Sequence, residues 1–141
     1  MLLIRRTLFT HAVFAALMTL PVMPVAAQAA ALDGKVFVAD IGYKGKEAHD
    51  KGDIITFKDG KFHSATCDQY GYNKAAYKSA TQGDATTFEV ETESEKYGRL
   101  QWKGTVRGGQ IEGTFVMLPK PGFFDRNPAP VDHWYKGQAK L

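Results

Sequence analysis

Three dipeptides limit what this chain can fold into: Asp59-Gly60, Gly83-Asp84 and Gly108-Gly109. Each separates two runs in which apolar and polar residues alternate. Each also contains a glycine able to reach the positive φ of a two-residue hairpin turn. The strongest case is Gly98–Met117, GRLQWKGTVRGGQIEGTFVM. With Gly108-Gly109 at its tip, Val106 faces Ile111, Gly104 faces Gly113, Trp102 faces Phe115 and Leu100 faces Met117. The opposite face pairs Thr105 with Glu112, Lys103 with Thr114 and Gln101 with Val116. One face is apolar or glycine and the other mostly polar, so a one-residue slip would invert every side chain.

The other two turns extend the pattern. Around Asp59-Gly60, strands Asp53–Lys58 and Lys61–Cys67 pair Phe57 with Phe62 and Ile55 with Ser64. Around Gly83-Asp84, strands Ala76–Gln82 and Ala85–Glu93 pair Tyr77 with Val90, Ser79 with Phe88 and Thr81 with Thr86. Glu89, Glu91 and Glu93 then lie opposite Lys103, Gln101 and Arg99 on the outer face, where such pairs help register more than stability. The first strand, Lys35–Ile41, is apolar on both faces and is expected to be covered on both. Gly42 to Gly52 reads as a solvated loop with one helical turn at Lys46–Lys51, and Asp68–Ala75 as an aromatic, turn-rich link. Leu118–Pro130, with four prolines around Phe123-Phe124, is a long loop, because proline cannot donate to a ladder. Val131–Leu141 returns as the last strand.

About eight strands joined mostly by tight turns predict an all-β, single up-and-down meander barrel, since closure removes both sheet edges. A β-sandwich is the alternative, against which the sequential hairpins argue.

The start of the chain is excluded from the fold. Arg5 and Arg6 precede a mostly apolar stretch, and Ala27-Gln28-Ala29 has the small-x-small form of a cleavage site. Residues 1–29 therefore read as a signal peptide and 30–141 as one β-barrel domain of about 112 residues. The expected location is periplasmic or secreted, with no cysteine at the cleavage region to take a lipid anchor and no membrane span after cleavage. The general and twin-arginine export routes both remain open. The precursor carries 18 basic and 15 acidic residues. Losing Arg5 and Arg6 leaves a net charge near zero, which gives no basis for a nucleic-acid partner. Cys67 is the only cysteine, so no intrachain disulfide can form.

The meander resembles a lipocalin-like (calycin) barrel through Leu32-Asp33-Gly34-Lys35-Val36-Phe37 in the first strand and Trp134-Tyr135-Lys136-Gly137 in the last. It is also similar to small uncharacterised proteins exported by Gram-negative bacteria, through Phe57-Lys58-Asp59-Gly60-Lys61-Phe62, Cys67-Asp68-Gln69-Tyr70-Gly71 and Trp102-Lys103-Gly104-Thr105-Val106. Gly34-Lys35-Val36 lacks the tryptophan of the lipocalin Gly-x-Trp, and the usual disulfide is missing. The resemblance implies carriage of a small apolar molecule.

The leading expectation is accordingly a periplasmic binding protein for a small, largely apolar ligand. The inward set also includes Ile55, Val90, Leu100, Val106, Ile111 and Met117, with Thr66, Ser79, Thr81 and Thr86 as hydroxyls. The ligand would be held by Phe57, Phe62, Ser64, Tyr77, Phe88, Trp102, Phe115 and Tyr135. Phe123 and Phe124 would stand at the barrel mouth. An enclosed void above roughly 300 Å³ would favour that site.

The second expectation is a solid barrel acting as a protein-interaction or inhibitor module through Phe123, Phe124, Tyr70 and Tyr72. The third is a metal or redox protein using Cys67 and histidines. His63 and Cys67 on one regular strand would stand about 13 Å apart, too far to share an ion. Asp68, His49 and His133 would join only if the fold gathers them. The chain has no Gly-x-Ser-x-Gly, Cys-x-x-Cys or glycine-rich phosphate loop, so no catalytic residue, cofactor or metal is assigned.

Overall fold

A computed structural model describes residues 30–141; the expected signal peptide lies outside the described residues. Eight antiparallel strands close into a barrel in simple sequence order, each hydrogen-bonded to the next and β8 to β1. They are β1 (Val36–Tyr43), β2 (Ala48–Lys58), β3 (Lys61–Ser64), β4 (Ala75–Gln82), β5 (Ala85–Ser94), β6 (Gly98–Arg107), β7 (Gln110–Pro119) and β8 (Val131–Ala139). A short 3₁₀ helix, Ala65–Tyr70, follows β3. The architecture is the up-and-down barrel expected from the turns.

The three hairpins have the expected registers. Val106 faces Ile111 and Trp102 faces Phe115, Phe57 faces Phe62, and Tyr77 faces Val90. Asp59 and Gly60 both have positive φ, 53° and 73°, as a type I′ turn needs. At Gly83-Asp84 and Gly108-Gly109 only the first residue does, the type II′ arrangement, so Asp84 carries no backbone strain. Glu89, Glu91 and Glu93 lie opposite Lys103, Gln101 and Arg99 on the outside. A hydrogen bond from Gln101, helped by Arg99, holds the Glu91 carboxyl below its usual range.

Several boundaries differ from the sequence reading. Ala48–Gly52 belongs to β2, not to a helical turn, because its backbone pairs with the end of β1 across irregular register steps at Ala39–Gly42. Strand β1 is not covered on both faces: Phe37, Ala39 and Ile41 point inward, while Val38 is exposed. Strand β3 stops at Ser64, where the 3₁₀ helix begins. Of the predicted inward hydroxyls, Ser64 and Ser79 are buried, whereas Thr81 is exposed and Thr66 and Thr86 are half-buried. Thr66 left the inner face when the strand ended before it.

The two barrel ends are built differently. The turn end carries the three tight hairpins and the N-terminal segment. Leu32 is buried there, and its N–H donates to the Tyr77 hydroxyl. That hydroxyl in turn donates to Asp33, whose carboxylate also accepts from the Gly60 N–H. Burial and the Asp33 carboxylate push the Tyr77 hydroxyl up to about 12. The loop end carries residues 44–47, the 3₁₀ helix with 71–74, residues 95–97, and the 120–130 loop.

Candidate functional site at the loop end

The eight residues expected to hold an apolar ligand are all buried inside the barrel, where the seven aromatic ones pack on one another. Phe57 meets Phe62 with ring centres 5.6 Å apart and Tyr77 and Phe88 at 5.0 Å. Phe62 meets Trp102 at 4.9 Å, and Trp102 meets Phe115 at 4.1 Å and Tyr135 at 5.4 Å. These are contact distances for aromatic pairs. Large rings fit because glycines face them. A Cβ on Gly104 would overlap the Tyr135 hydroxyl and the Phe88 ring, and one on Gly113 would overlap the Lys103 carbonyl. The Tyr135 hydroxyl uses that space to donate to the Lys103 carbonyl at 2.9 Å. Its burial raises its pKa.

Toward the loop end the interior becomes polar. Asp53 is 2% exposed; it accepts from the Ser64 hydroxyl at 2.6 Å and the Thr66 N–H at 2.9 Å. The Cys67 Sγ lies 3.2 Å from the same hydroxyl. The 3₁₀ helix turns this thiol inward, where burial pushes its pKa up to about 12 against the Ser64 hydrogen bond. A thiol held protonated is a poor nucleophile and a poor metal ligand. The same helix separates it from His63, whose Nε2 instead lies 2.7 Å from Asp68. Tyr72, expected at an exposed loop position, is buried, and its hydroxyl has no protein partner. The turn after the helix, with Gly71 in the left-handed region, folds it inward. Thr92 accepts from the Trp102 indole at 3.3 Å, and the Ser94 hydroxyl donates to the Tyr70 carbonyl at 2.7 Å.

The outside of the loop end is aromatic. Phe123 and Phe124 are 85% and 97% exposed, with their rings edge-on at 5.0 Å. Tyr70 and Tyr97, also exposed, meet at 5.6 Å beside a recess of about 1150 Å³ bordered by Glu95, Lys96, Leu118 and Pro121. Tyr43 is exposed at the end of β1. These five are all the exposed large aromatic side chains among the described residues, and every one sits on a loop-end connection or strand end. A second recess, about 840 Å³, lies across β4–β8 and is bordered by Lys78, Glu89, Lys103 and Glu112.

The sequence reading identified Phe123, Phe124 and Tyr70 but overlooked Tyr97 and Tyr43 as surface aromatics. Tyr97 stands in a short turn rich in charge, and Tyr43 directly follows a glycine. Position within a turn was their only signal. Among the described residues, no group of three or more His, Cys, Asp and Glu side chains is placed to hold a metal ion. No helix there is long and apolar enough to cross a membrane. No family model, curated protein or solved structure matches this chain.

Proposed function

We propose that this chain is an exported, lipocalin-like protein-binding module whose barrel is filled and whose loop end grips a partner protein. The observation that carries this reading is the gathering of Tyr43, Tyr70, Tyr97, Phe123 and Phe124 at one end of the barrel. Exposed aromatics grouped in this way suit a binding surface, because they bring large contact area with few rotatable bonds. The ring-on-ring packing of Phe57, Phe62, Phe88, Trp102 and Tyr135 supports a rigid scaffold more than a container. The leader-like residues 1–29 support a periplasmic or secreted location.

The test is site-specific photo-crosslinking in the exporting cell, with a benzophenone amino acid at Phe124 or, as a control, at Lys58 on the turn end. The reading expects one protein adduct of fixed mass from position 124 and none from position 58. The purified partner should then bind the parent chain and lose binding to the Phe123→Ser/Phe124→Ser double variant. Equal adducts from both positions would overturn it. So would a native mass carrying a bound small molecule and no adduct, which is the outcome expected of an apolar-ligand carrier.

A further inference from the structure

The fold brings together two imidazoles that lie 84 residues apart in the chain. His49, near the start of β2, and His133, near the start of β8, have ring centres 5.9 Å apart. Tyr43 touches both, at 4.5 and 4.8 Å. On its other side His133 stacks on Phe115 at 4.4 Å with the rings 7° from parallel, so its orientation is fixed by packing.

Each imidazole is also fixed by its Nδ1. That of His133 lies 3.1 Å from the Val131 carbonyl, and that of His49 lies 2.9 Å from the Asp50 carboxylate. Carbonyl and carboxylate oxygens accept only, so both Nδ1 atoms carry the proton while the rings are neutral. Each Nε2 is then left with its lone pair. This is the tautomer that metal-binding histidines adopt, held by the same kinds of second partner. His133 is 6% exposed, and its one hydrogen bond to the backbone uses Nδ1.

The 5.9 Å between ring centres falls within the range that a shared ion allows. Two imidazoles bound through Nε2 at about 2.0–2.1 Å place their ring centres roughly 5–6.5 Å apart as the N–metal–N angle opens from tetrahedral to linear. Met117 lies on the same face of β7 as Phe115, one diagonal step from His133 and partly buried against the core. With two imidazole nitrogens as ligands, copper is the ion of choice, since it heads the affinity order of the divalent first-row metals for such donors.

We propose that His49 and His133 form a divalent transition-metal site at the loop end, selective for copper and independent of Cys67 and His63. The site does not depend on the protein-binding reading. Its test is a Cu²⁺ titration of the tag-free exported chain by calorimetry, with electron paramagnetic resonance of the loaded protein. One saturable equivalent with hyperfine coupling to two nitrogens is expected. His49→Ala, on a side chain one-third exposed, should abolish that equivalent without unfolding the barrel. Asp50→Ala, which frees the His49 Nδ1–H, should weaken it by about tenfold. His133→Phe keeps the stack on Phe115 and should also abolish binding, whereas His63→Ala and Cys67→Ala should bind as the parent does. Absence of saturable binding would overturn the proposal. So would unchanged binding in folded His49→Ala, or loss of binding in His63→Ala.

Discussion

The two ends of this barrel contain the same kinds of residue in opposite arrangements. At the turn end, aromatic and aliphatic side chains are inside and the connections are two-residue turns. Leu32 is tied across that end by Tyr77 and Asp33. At the loop end, Asp53, Ser64, Thr92, Ser94 and His133 are buried while Tyr43, Tyr70, Tyr97, Phe123 and Phe124 are exposed. Folding pressure alone favours the first arrangement, because apolar burial stabilises and polar burial needs partners. The second arrangement gives up some of that stability. On the proposed reading, the turn end holds the fold and the loop end serves recognition.

The comparison can be broken by substitutions at each end. The largest effect is expected from Phe57→Ala, which empties the middle of the ring cluster. A buried phenylalanine lost in this way costs about 3–5 kcal/mol, measured by urea unfolding. A cost below about 1 kcal/mol would mean that the interior is not packed as described.

The next effect is alkaline. Cys67 titrates in the unfolded chain near its ordinary value of 9.0 and in the folded chain at about 12. Its folded pKa is raised, so the folded state holds the proton more tightly. The stability it contributes is complete below about pH 9 and is lost as pH rises toward 12, an upper bound of about 4 kcal/mol at 1.36 kcal/mol per pH unit. Cys67→Ala should show a shallower alkaline limb than the parent in denaturant titrations between those pH values. At pH 8 the native thiol should resist a disulfide reagent that labels the unfolded chain at once.

Tyr77→Phe tests the strap at the turn end. It leaves the Leu32 N–H without its partner and takes a donor from Asp33, at a cost of about 1–3 kcal/mol. Faster hydrogen exchange at the Leu32 amide, with strand amides at the loop end unchanged, is the local signature. Tyr72→Phe tests the opposite end with the opposite sign. It removes a buried hydroxyl that has no protein partner, and is expected to stabilise by about 1 kcal/mol. Destabilisation would mean that the hydroxyl is satisfied by a bound water or ligand.

This contrast also explains what the sequence made legible. The turn end was legible because its information is local. A glycine at each tip and an alternating run on each side specify register without reference to the rest of the chain, and all three hairpins formed accordingly. The loop end was poorly legible because its geometry comes from long-range closure. Ala48–Gly52 carries charge and glycine, yet it becomes strand because the end of β1 lies alongside it as a pairing partner. Cys67 and Tyr72 turn inward only because β3 stops at Ser64, a boundary that the Thr66 and Cys67 side chains gave no reason to expect. His49 and His133 meet through the β1–β8 pairing that closes the barrel.

The division of labour between the ends predicts that binding and stability can be separated at Phe123 and Phe124. Both are almost fully exposed, and substitutions at such sites shift stability by less than about 0.5 kcal/mol. The direct measurement is partner affinity and urea midpoint for the Phe123→Ser/Phe124→Ser variant, side by side with the parent. The account predicts an unchanged midpoint with binding lost. A lowered midpoint, or an unchanged affinity, would contradict it.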